Sequence, residues 1–436
     1  MKIALLGYGK EGQATEEYFG GQKNEIQIFE QFEADQLNPA DLTKFDLVFR
    51  SPSVPFRKPV SDIPHLTSAT RYFFEHCPCP IIGVTATKGK GTTCSFIKAL
   101  LDEFSEDAYL VGNIGVSALT ILDKLTANSV VVYEMSSFQL WDLTQSPSVA
   151  VIGTIEPDHI NVHGSYDDYT SAKAHIGEFQ TPNDYIIYYR DDPESVRLAQ
   201  KSPAFSQHSI AFPYEIPVSL SEAVKLPGDH NLRNAMAGVA AVAAYFKQKS
   251  LGYDKVTPAD TVFSGHASDL VSQFIATNLD KICRGLSSFK GLPHRLEFLR
   301  NLNGVSYYDD NFSTNPASTL VAVKAFADRP VILIAGGRDK TKNADWPEIE
   351  EIFKLSNIKK VVLMGESGHA LYSQFPNPLQ YILVESLEEA VTKARAEAEL
   401  LSNAVVLMSP SAASFDMFRD VYDRGAKYQN LVNSLS

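Results

Sequence analysis

The chain has 436 residues, 44% of them hydrophobic and 21% charged, which is the composition of a globular protein. This length exceeds what one hydrophobic core serves, so two or three domains are expected. The formal net charge of −13 argues against a broad basic surface of the kind that binds nucleic acid. No apolar run reaches membrane-spanning length, and Met1 leads almost directly into a predicted strand, so no signal peptide is expected. We therefore expect a cytoplasmic protein without nucleic-acid or membrane partners.

The four cysteines are too few and too scattered for a disulfide framework. Cys77 and Cys79 are separated by one residue, whereas redox and zinc motifs use a spacing of two. We interpret them as incidental thiols.

The first segment has the pattern of a dinucleotide-binding fold. Its predicted strands are Lys2–Leu6, Ile26–Phe29 and Asp46–Arg50. The first strand ends in the glycine turn Gly7-Tyr-Gly-Lys-Glu-Gly12, and Gln13–Phe19 is predicted to be helical. Glu30 follows the second strand at the distance from the glycines where an acid binds a ribose hydroxyl. We predict a Rossmann-like domain over residues 1–79, and the glycine turn leaves a nicotinamide cofactor open as an alternative.

A second glycine-rich loop follows at residues 85–92. The strand Ile81–Val84 precedes it, and the apolar spacing predicts a helix over Thr93–Phe104, with Lys90 at its mouth. Backbone N–H groups of such a loop and the helix N-terminus cradle anions, and a lysine adds a full charge for the terminal phosphates. The segment therefore predicts a nucleoside triphosphate site.

The loop departs from the common phosphate-loop pattern at two positions. Its first glycine, Gly83, lies one residue early, and Gly91 stands where a hydroxyl normally reaches Mg²⁺. Thr92 and Thr93 come next and offer that hydroxyl. A glycine-rich turn without a ligand remains the alternative reading of this loop by itself.

Strands and helices alternate over the rest of the chain. The further predicted strands are Ser129–Tyr133, Val149–Ile152, Val305–Tyr308, Val331–Ala335, Lys360–Met364 and Ala404–Ser409. Helices are predicted after Tyr166, after the turn at 227–231 and from Ala317. This alternation favours parallel sheets with sites at the carboxyl ends of their strands. We predict an α/β fold of three domains, with a central domain at 80–290 and a C-terminal domain at 291–436.

The order of the motifs resembles the Mur ligases of peptidoglycan synthesis. The motifs are 7–12, Thr85–Thr93, Gly112–Gly115, Glu134–Leu140, Asp158-His159, Lys173, His230–Asn234, Gly291–Arg295, Asp309–Asn315, Gly336–Lys340 and Ser409–Arg424. The resemblance implies an N-terminal Rossmann-like domain for a UDP-linked substrate and a central P-loop ATPase-like domain with a mostly parallel sheet. It also implies a C-terminal Rossmann-like domain for an amino acid. The string Ser136–Leu140 and the terminal run from Ser409 are most similar to the glutamate-adding member of the family.

The resemblance also implies ATP and two Mg²⁺ ions as cofactors. The implied ATP contacts are Thr87, Lys88, Gly89, Lys90, Gly91, Thr92, Thr93, Asn231, Arg295 and Asp310. The implied metal ligands are Thr92, Glu134, His159 and Lys173, with Lys173 carbamylated by CO₂. Catalytic roles are implied for Lys90, Glu134, His159, Lys173 and Arg295. Carbamylation needs the neutral amine, so burial that lowers the pKa of Lys173 would favour it.

Substrate contacts follow from the same resemblance. Those implied for the UDP-linked substrate are Gly9, Lys10, Glu11, Glu30, Ser51, Asn113 and His159. Those implied for the incoming amino acid are Thr314, Lys340 and Ser414. Positions that depart from the family pattern are Ala86, Lys88, Gly91, Thr154, Asn161, Phe312, Ala412 and Val421. The departures at Phe312 and Val421 weaken the prediction of glutamate as the substrate more than they weaken the prediction of a ligase.

The resemblance implies an ATP-dependent ligase that adds D-glutamate to UDP-N-acetylmuramoyl-L-alanine through an acyl phosphate. We expect a monomer that acts on small molecules. Three alternatives stay open: a related ligase adding another amino acid, a nicotinamide-dependent oxidoreductase, and a regulatory nucleotide-binding protein with a decayed site. The oxidoreductase does not account for Lys90, Glu134 and Lys173.

Overall fold

The structure, a computed structural model, describes residues 1–21, 23–30, 38–251, 267–338, 346–374, 377 and 380–436. Three sheets follow one another along the chain, flanked by helices. The predicted α/β architecture with parallel N-terminal and central sheets and a further C-terminal domain is confirmed. Among the described helices, none combines the length and apolar character needed to cross a bilayer.

The first sheet has four parallel strands in the order β2-β1-β3-β4. They are β1 (Lys2–Leu6), β2 (Glu25–Phe29), β3 (Leu47–Arg50) and β4 (Leu66–Ser68). Its helices are α1 (Lys10–Gly20) and α2 (Ala69–His76). The three predicted strands are confirmed within one residue at each end, whereas β4 escaped prediction because only three residues, two of them hydroxylic, form it.

The central sheet has six parallel strands in the order β10-β9-β8-β5-β7-β6. They are β5 (Ile81–Thr85), β6 (Asp107–Gly112), β7 (Ser129–Glu134), β8 (Val149–Ile152), β9 (Tyr185–Tyr189) and β10 (Ser209–Phe212). The helices are α3 (Lys90–Glu103), α4 (Ser137–Leu140), α5 (Ile160–His163), α6 (Tyr166–Glu178), α7 (Pro193–Ala199), α8 (Phe205–His208), α9 (Val218–Ala223), α10 (Asp229–Leu251) and α11 (Ala267–Ser288). Strands β5, β7 and β8 are buried along their whole length, as expected where helices cover both faces of a parallel sheet.

Helix α3 begins at Lys90, three residues before the predicted start. Its first turn contains Gly91, Thr92 and Thr93, which have poor helix propensity and concealed the start in the sequence. Lys90 is therefore the first helical residue, at the position where a helix N-terminus favours an anion.

The C-terminal sheet has the order β11-β12-β16-β13-β14-β15. The strands are β11 (Glu297–Leu302), β12 (Val305–Asp309), β13 (Val331–Gly336), β14 (Ile358–Met364), β15 (Tyr381–Val384) and β16 (Val405–Met408). The helices are α12 (Pro316–Lys324), α13 (Trp346–Phe353), α14 (Gly365–Gln374), α15 (Leu387–Ala398) and α16 (Val421–Ser434). All pairs are parallel except β11 with β12.

The β11–β12 hairpin corrects the prediction of strict alternation in this domain. Its two-residue loop is Asn303-Gly304, with φ of 53° and 84°. An Asn-Gly pair with both φ positive is the preferred connection of tight hairpins. The Asn-Gly pair stands directly before Val305 in the sequence, so the hairpin was predictable from this turn signal.

The described residues group into two compact units. The first contains 1–224 and 232–289, and the second contains 225–231 and 290–436. Within the first unit, α2 packs against the core of the central sheet: the rings of Phe73 and Tyr133 lie 5.7 Å apart, and Tyr133 Oη donates to Thr70 Oγ1 at 3.1 Å. The predicted domain limits at 79/80 and 290/291 stay predictions.

Candidate active site

A cavity of about 320 Å³ lies in the first unit, at the carboxyl ends of β5, β7 and β8. Its lining residues come from both glycine-rich loops and from the segments that follow these strands. They are Glu11, Pro52, Ala86, Thr87, Lys90, Asn113, Ser136, Ser137, Phe138, Gln139, Asp158, His159, Tyr169 and Lys173. The crevice outside the carboxyl ends of parallel strands is where open α/β sheets bind ligands.

The loop between β5 and α3 is shaped to hold an anion. Gly89 caps α3 with φ of 84°, and no side chain caps the helix N-terminus. A Cβ at Gly89 would lie 2.7 Å from Asn234 Oδ1, so the position requires glycine both for its backbone conformation and for space. Lys90 Nζ donates to the carbonyls of Ala86 and Thr87 at 3.0 and 3.1 Å, which holds its charge over the loop.

Thr87 joins this loop to the segment after β8. Its backbone N–H donates to the Thr154 carbonyl at 2.7 Å, and its Oγ1 accepts from the Glu156 N–H at 2.8 Å. The same hydroxyl lies 2.8 Å from Tyr169 Oη. Lys88, in contrast, is exposed and pairs with Glu156 at 3.2 Å. Thr87 therefore holds the loop in place, while Lys88 lies on the outer side of it.

Glu134 is the last residue of β7 and is 3% exposed. Asn113 Nδ2 donates to Glu134 Oε1 at 3.4 Å, and the Asn113 N–H donates to the Glu134 carbonyl at 3.2 Å. Asn113 lines the cavity, whereas Glu134 is not among the described lining residues. The strand end thus places a buried carboxylate next to the cavity.

Lys173, on α6, is 2% exposed. Its Nζ donates to the Ala86 carbonyl at 2.8 Å and to Thr85 Oγ1 at 3.3 Å, and it lies 5.0 Å from the ring of Tyr169. Burial, and secondarily the charge of Lys90, holds the pKa of Lys173 well below its usual range. The structure therefore brings the predicted residue to the cavity with its amine biased toward the neutral form.

His159 caps the N-terminus of the short helix α5 with φ of 52°, and its Nε2 lies 3.4 Å from Asp158 Oδ2. Both side chains are about half exposed and line the cavity. Behind them, the fully buried ring of His163 stacks on Phe138 at 5.0 Å, with Nε2 2.9 Å from Ser137 Oγ. Burial lowers the pKa of His163 to about 4, so this residue, which sequence reasoning missed, is neutral at physiological pH.

The glycine turn of the first domain reaches the same cavity through Glu11. Its Oε1 accepts from Gln139 Nε2 at 2.6 Å, and its Oε2 is buried without a hydrogen-bond partner among the described residues. Burial raises the pKa of Glu11 to about 7. Ser51 donates to the Gly7 carbonyl at 2.7 Å and supports the turn from beneath.

The remaining residues predicted to bind the UDP-linked substrate lie outside the described cavity lining. Gly9, Lys10 and Glu30 are exposed, the first two at the start of α1 and the third just after β2. Gly9 caps α1 without a side-chain hydrogen bond, so the first N–H groups of α1 have no capping side chain.

The other predicted residues belong to the second unit. Asp310 is 5% exposed and accepts from Ser313 Oγ at 2.5 Å, Ser409 Oγ at 2.7 Å and the Leu296 N–H at 3.2 Å. Burial raises its pKa to about 7. Arg295 is exposed, and its guanidinium lies 5.4 Å from the centre of the Phe312 ring.

Asn231 is buried and donates to the Pro227 carbonyl at 2.8 Å. Ser414 is buried in the loop after β16, and Thr314 is half-buried in the loop after β12. Lys340 lies outside the described residues. Each of these residues remains a prediction as a ligand contact.

The sequence motifs predict no ligand contact for Ser136–Gln139, yet all four residues line the cavity. Ser136 caps α4 in a reciprocal arrangement with Gln139, which turns the chain sharply after β7. The signal was available, because polar residues directly after a buried parallel strand mark its carboxyl end.

Comparison with known proteins gives consistent similarities over almost the whole chain. Residues 84–216 match the Mur ligase middle domain, and residues 294–412 match the Mur ligase glutamate ligase domain. The chain is 31% identical to UDP-N-acetylmuramoylalanine–D-glutamate ligase of Clostridium kluyveri, over 91% of this chain and 84% of that protein. The enzyme of the same name from Ruminiclostridium cellulolyticum is also 31% identical, over 90% and 84%.

Solved structures show the same fold. The UDP-N-acetylmuramate–alanine ligase of Thermotoga maritima superimposes with a TM-score of 0.58 at 18% identity, covering 100% of this chain and 99% of that one. The MurF ligase of Thermotoga maritima, crystallised with ADP, gives 0.54 at 15% identity, covering 89% of each chain. At these low identities the similarity concerns the fold.

Proposed function

The chain belongs to the Mur ligase family, as the order of its motifs predicts, and on this premise we propose that it joins D-glutamate to UDP-N-acetylmuramoyl-L-alanine at the expense of ATP. The observation that carries the proposal is one cavity lined by the phosphate-loop Lys90 together with His159 and Lys173. The similarity to D-glutamate ligases across 91% of the chain supports the choice of substrates. A nicotinamide-dependent oxidoreductase explains neither observation.

The proposed reaction has two steps. The terminal carboxylate of the nucleotide-linked substrate attacks the γ-phosphate of ATP, which gives an acyl phosphate and ADP. The amine of D-glutamate then attacks the activated carbonyl, loses a proton and expels phosphate. In both steps the reacting groups must be held in place while negative charge shifts between oxygen atoms of the substrates. The protein therefore acts mainly by positioning the substrates and by electrostatic stabilisation.

Lys90 and the first turn of α3 are the proposed phosphate site. Lys90 is already directed over the loop by the carbonyls of Ala86 and Thr87, so its charge needs little reorganisation when a triphosphate enters. The uncapped N-terminus of α3 leaves N–H groups of Gly91 and Thr92 for phosphate oxygens.

The residues present fit the magnesium that the family uses. Glu134 is a buried carboxylate at the end of β7, His159 is an imidazole in the segment after β8, and β5 lies between these two strands. Carboxylate oxygens are preferred Mg²⁺ ligands. We propose Thr92, Glu134, His159 and Lys173 as the residues that hold it. When bound, Mg²⁺ would neutralise charge on the β- and γ-phosphates.

Lys173 suits this role as its carbamate. The neutral amine adds to CO₂ and releases one proton, which replaces a buried amine with an anionic oxygen ligand. The lowered pKa of Lys173 makes the neutral amine available, and its position beside Lys90 would stabilise the negative product.

The first domain is the proposed site for the UDP-linked substrate. Glu11 and Asn113 line the cavity, and Gly9 and Lys10 begin α1, whose N-terminus favours a diphosphate. We propose Ser51 and Glu30 as further contacts at the carboxyl ends of β3 and β2. His159 would face the same substrate from the central domain.

The remaining predicted contacts are residues of the second unit or lie outside the described residues. We propose Asn231, Arg295 and Asp310 for ATP, and Thr314, Lys340 and Ser414 for D-glutamate. Within the second unit, the guanidinium of Arg295 lies over the Phe312 ring. We further propose that the protein works in the cytoplasm as a monomer, where ATP and the nucleotide-linked substrate are available.

A panel of amino acids tests the proposed substrate. Purified protein, ATP, Mg²⁺ and UDP-N-acetylmuramoyl-L-alanine are combined with each amino acid, and ADP release is followed by a coupled assay. D-glutamate should give the highest kcat/KM. A higher value for another amino acid would favour a ligase of different specificity, for which Phe312 and Val421 are the positions to examine.

A further inference from the structure

Two thiols lie in contact in the connection between α2 and β5. Cys77 caps the C-terminus of α2, where its N–H donates to the Phe73 carbonyl at 2.8 Å, and Cys79 lies two residues before the start of β5. Their Sγ atoms are 3.6 Å apart, and Cys77 Sγ is also 3.4 Å from the Cys79 carbonyl oxygen. The one-residue spacing indicated incidental thiols, but the fold brings the two sulfurs together.

The local backbone holds the thiols near each other and open to reagents. Both cysteines are partly exposed. Pro78 lies between them and Pro80 follows, so two of the four residues in this connection have a fixed φ. A disulfide needs the sulfurs at about 2.05 Å, which is roughly 1.5 Å closer than they lie here.

We propose that Cys77 and Cys79 form a dithiol site that reacts with small-molecule disulfides and closes into an internal disulfide. The site lies outside the cavity lining.

The chemistry balances as two successive exchanges. The Cys77 thiolate attacks one sulfur of the small disulfide, whose S–S bond breaks, and the departing thiolate takes up a proton. Cys79 then loses its proton to solvent and attacks Cys77 Sγ, which expels the second small thiol. The protein loses two hydrogens, and the small disulfide is reduced to two thiols.

The surroundings distinguish the two sulfurs. Contact between the two thiols lowers the pKa of Cys77, whereas the same contact, burial and the nearby Asp107 raise the pKa of Cys79. Cys77 is therefore the attacking thiol, because the thiolate is the nucleophile.

The other two cysteines serve as internal comparisons. Cys94 is buried, and Cys283 is partly exposed with its Sγ 3.6 Å from the Ser219 carbonyl. Burial raises the pKa of both thiols, so both should react more slowly with a disulfide than Cys77 does.

The test uses the intact chain and oxidised glutathione. After incubation, free thiols are alkylated, and the protein is examined by intact mass and by peptide mapping. We expect the wild-type peptide containing Cys77 and Cys79 to lose two hydrogens and carry neither alkyl groups nor glutathione. Dithiothreitol should restore two alkylatable thiols.

The Cys79→Ser variant removes the resolving thiol and should retain one glutathione on Cys77. The Cys283→Ser variant, a matched change of another partly exposed thiol, should still form the internal disulfide. Glutathione on Cys77 and Cys79 separately in the wild type would overturn the proposal. So would a fully reduced pair under conditions that glutathionylate Cys283.

Discussion

Arg50 and Asp142 form a buried ion pair between β3 of the first sheet and the segment after α4. Arg50 Nη2 donates to Asp142 Oδ1 at 2.7 Å, and the two side chains are 0% and 2% exposed. Arg50 also donates to the carbonyls of Val54 and Phe138, both at 2.8 Å. The pair therefore ties the end of β3 to the segment that lines the cavity.

Removing one member of this pair should destabilise the protein strongly. Asp142→Ala leaves the Arg50 charge buried without its carboxylate, so the free energy of unfolding should fall by roughly 3–5 kcal/mol. Urea denaturation followed by circular dichroism measures the change. The control is Asp102→Ala, which removes the exposed partner of Lys98 and should cost less than about 1 kcal/mol. Equal effects of the two substitutions would contradict the assigned role of the buried pair.

Gly89→Ala should damage both the loop and nucleotide binding. The added Cβ meets Asn234 Oδ1 at 2.7 Å, and φ of 84° disfavours any Cβ, so a loss of roughly 1–3 kcal/mol is expected. The KM for ATP should rise as well. Gly20→Ala is the matched control, because a Cβ there meets no atom within 4 Å of the described structure and lies in a helix. That variant should be neutral or slightly more stable. An unchanged KM for ATP in Gly89→Ala would argue against the phosphate site.

Lys173→Arg should abolish most of the activity. A guanidinium keeps a positive charge and does not form a carbamate, so kcat should fall on the order of 10²-fold or more. Lys98→Arg, on the exposed side of α3, should keep wild-type activity. Carbon NMR after addition of labelled bicarbonate measures the modification itself. A carbamate signal present in the wild type and absent from Lys173→Arg is expected, and a wild-type rate in bicarbonate-free buffer would contradict the role.

Glu11 should make stability depend on pH. Its pKa rises from 4.5 to about 7 on folding, so between these values the folded chain binds a proton that the unfolded chain has released. The stabilising contribution is fully present below about pH 4.5 and is lost as the pH rises through 7. Glu11→Gln should therefore change stability little at pH 4.5 and raise it on the order of 3 kcal/mol at pH 8.

The measurement for Glu11→Gln is the free energy of unfolding in urea, taken at both pH values without ligand. Glu25→Gln changes an exposed carboxylate and is the control, with little difference expected at either pH. A Glu11→Gln effect that is the same at pH 4.5 and pH 8 would show that the carboxyl group is not buried as described.

The strands were the most predictable part of the fold. Apolar runs at Lys2–Leu6 and Val149–Ile152 coincide with β1 and β8, because strands buried on both faces have continuous apolar sequences. The predicted start of α3 lies three residues too late because glycine and threonine in the first turn hide the helical pattern. Its true start depends on the left-handed Gly89, which a propensity scale does not register.

Sequence motifs predicted which residues belong to the candidate site, but not how deeply those residues are buried or what they contact. Lys173 on its helix has the sequence context of a solvated surface lysine, and only packing against Thr85 and Ala86 makes it buried. The unpartnered Oε2 of Glu11 and the stacked ring of His163 likewise depend on segments far apart in the chain. Local sequence carries no record of such contacts.

The most direct test follows oxygen from substrate to phosphate. UDP-N-acetylmuramoyl-L-alanine labelled with ¹⁸O in its terminal carboxylate is incubated with the protein, ATP, Mg²⁺ and D-glutamate, and the products are analysed by mass spectrometry. An acyl phosphate predicts a new amide with D-glutamate and one labelled oxygen in each phosphate released. Phosphate without label, or ADP formed equally well without the nucleotide-linked substrate, would contradict the account.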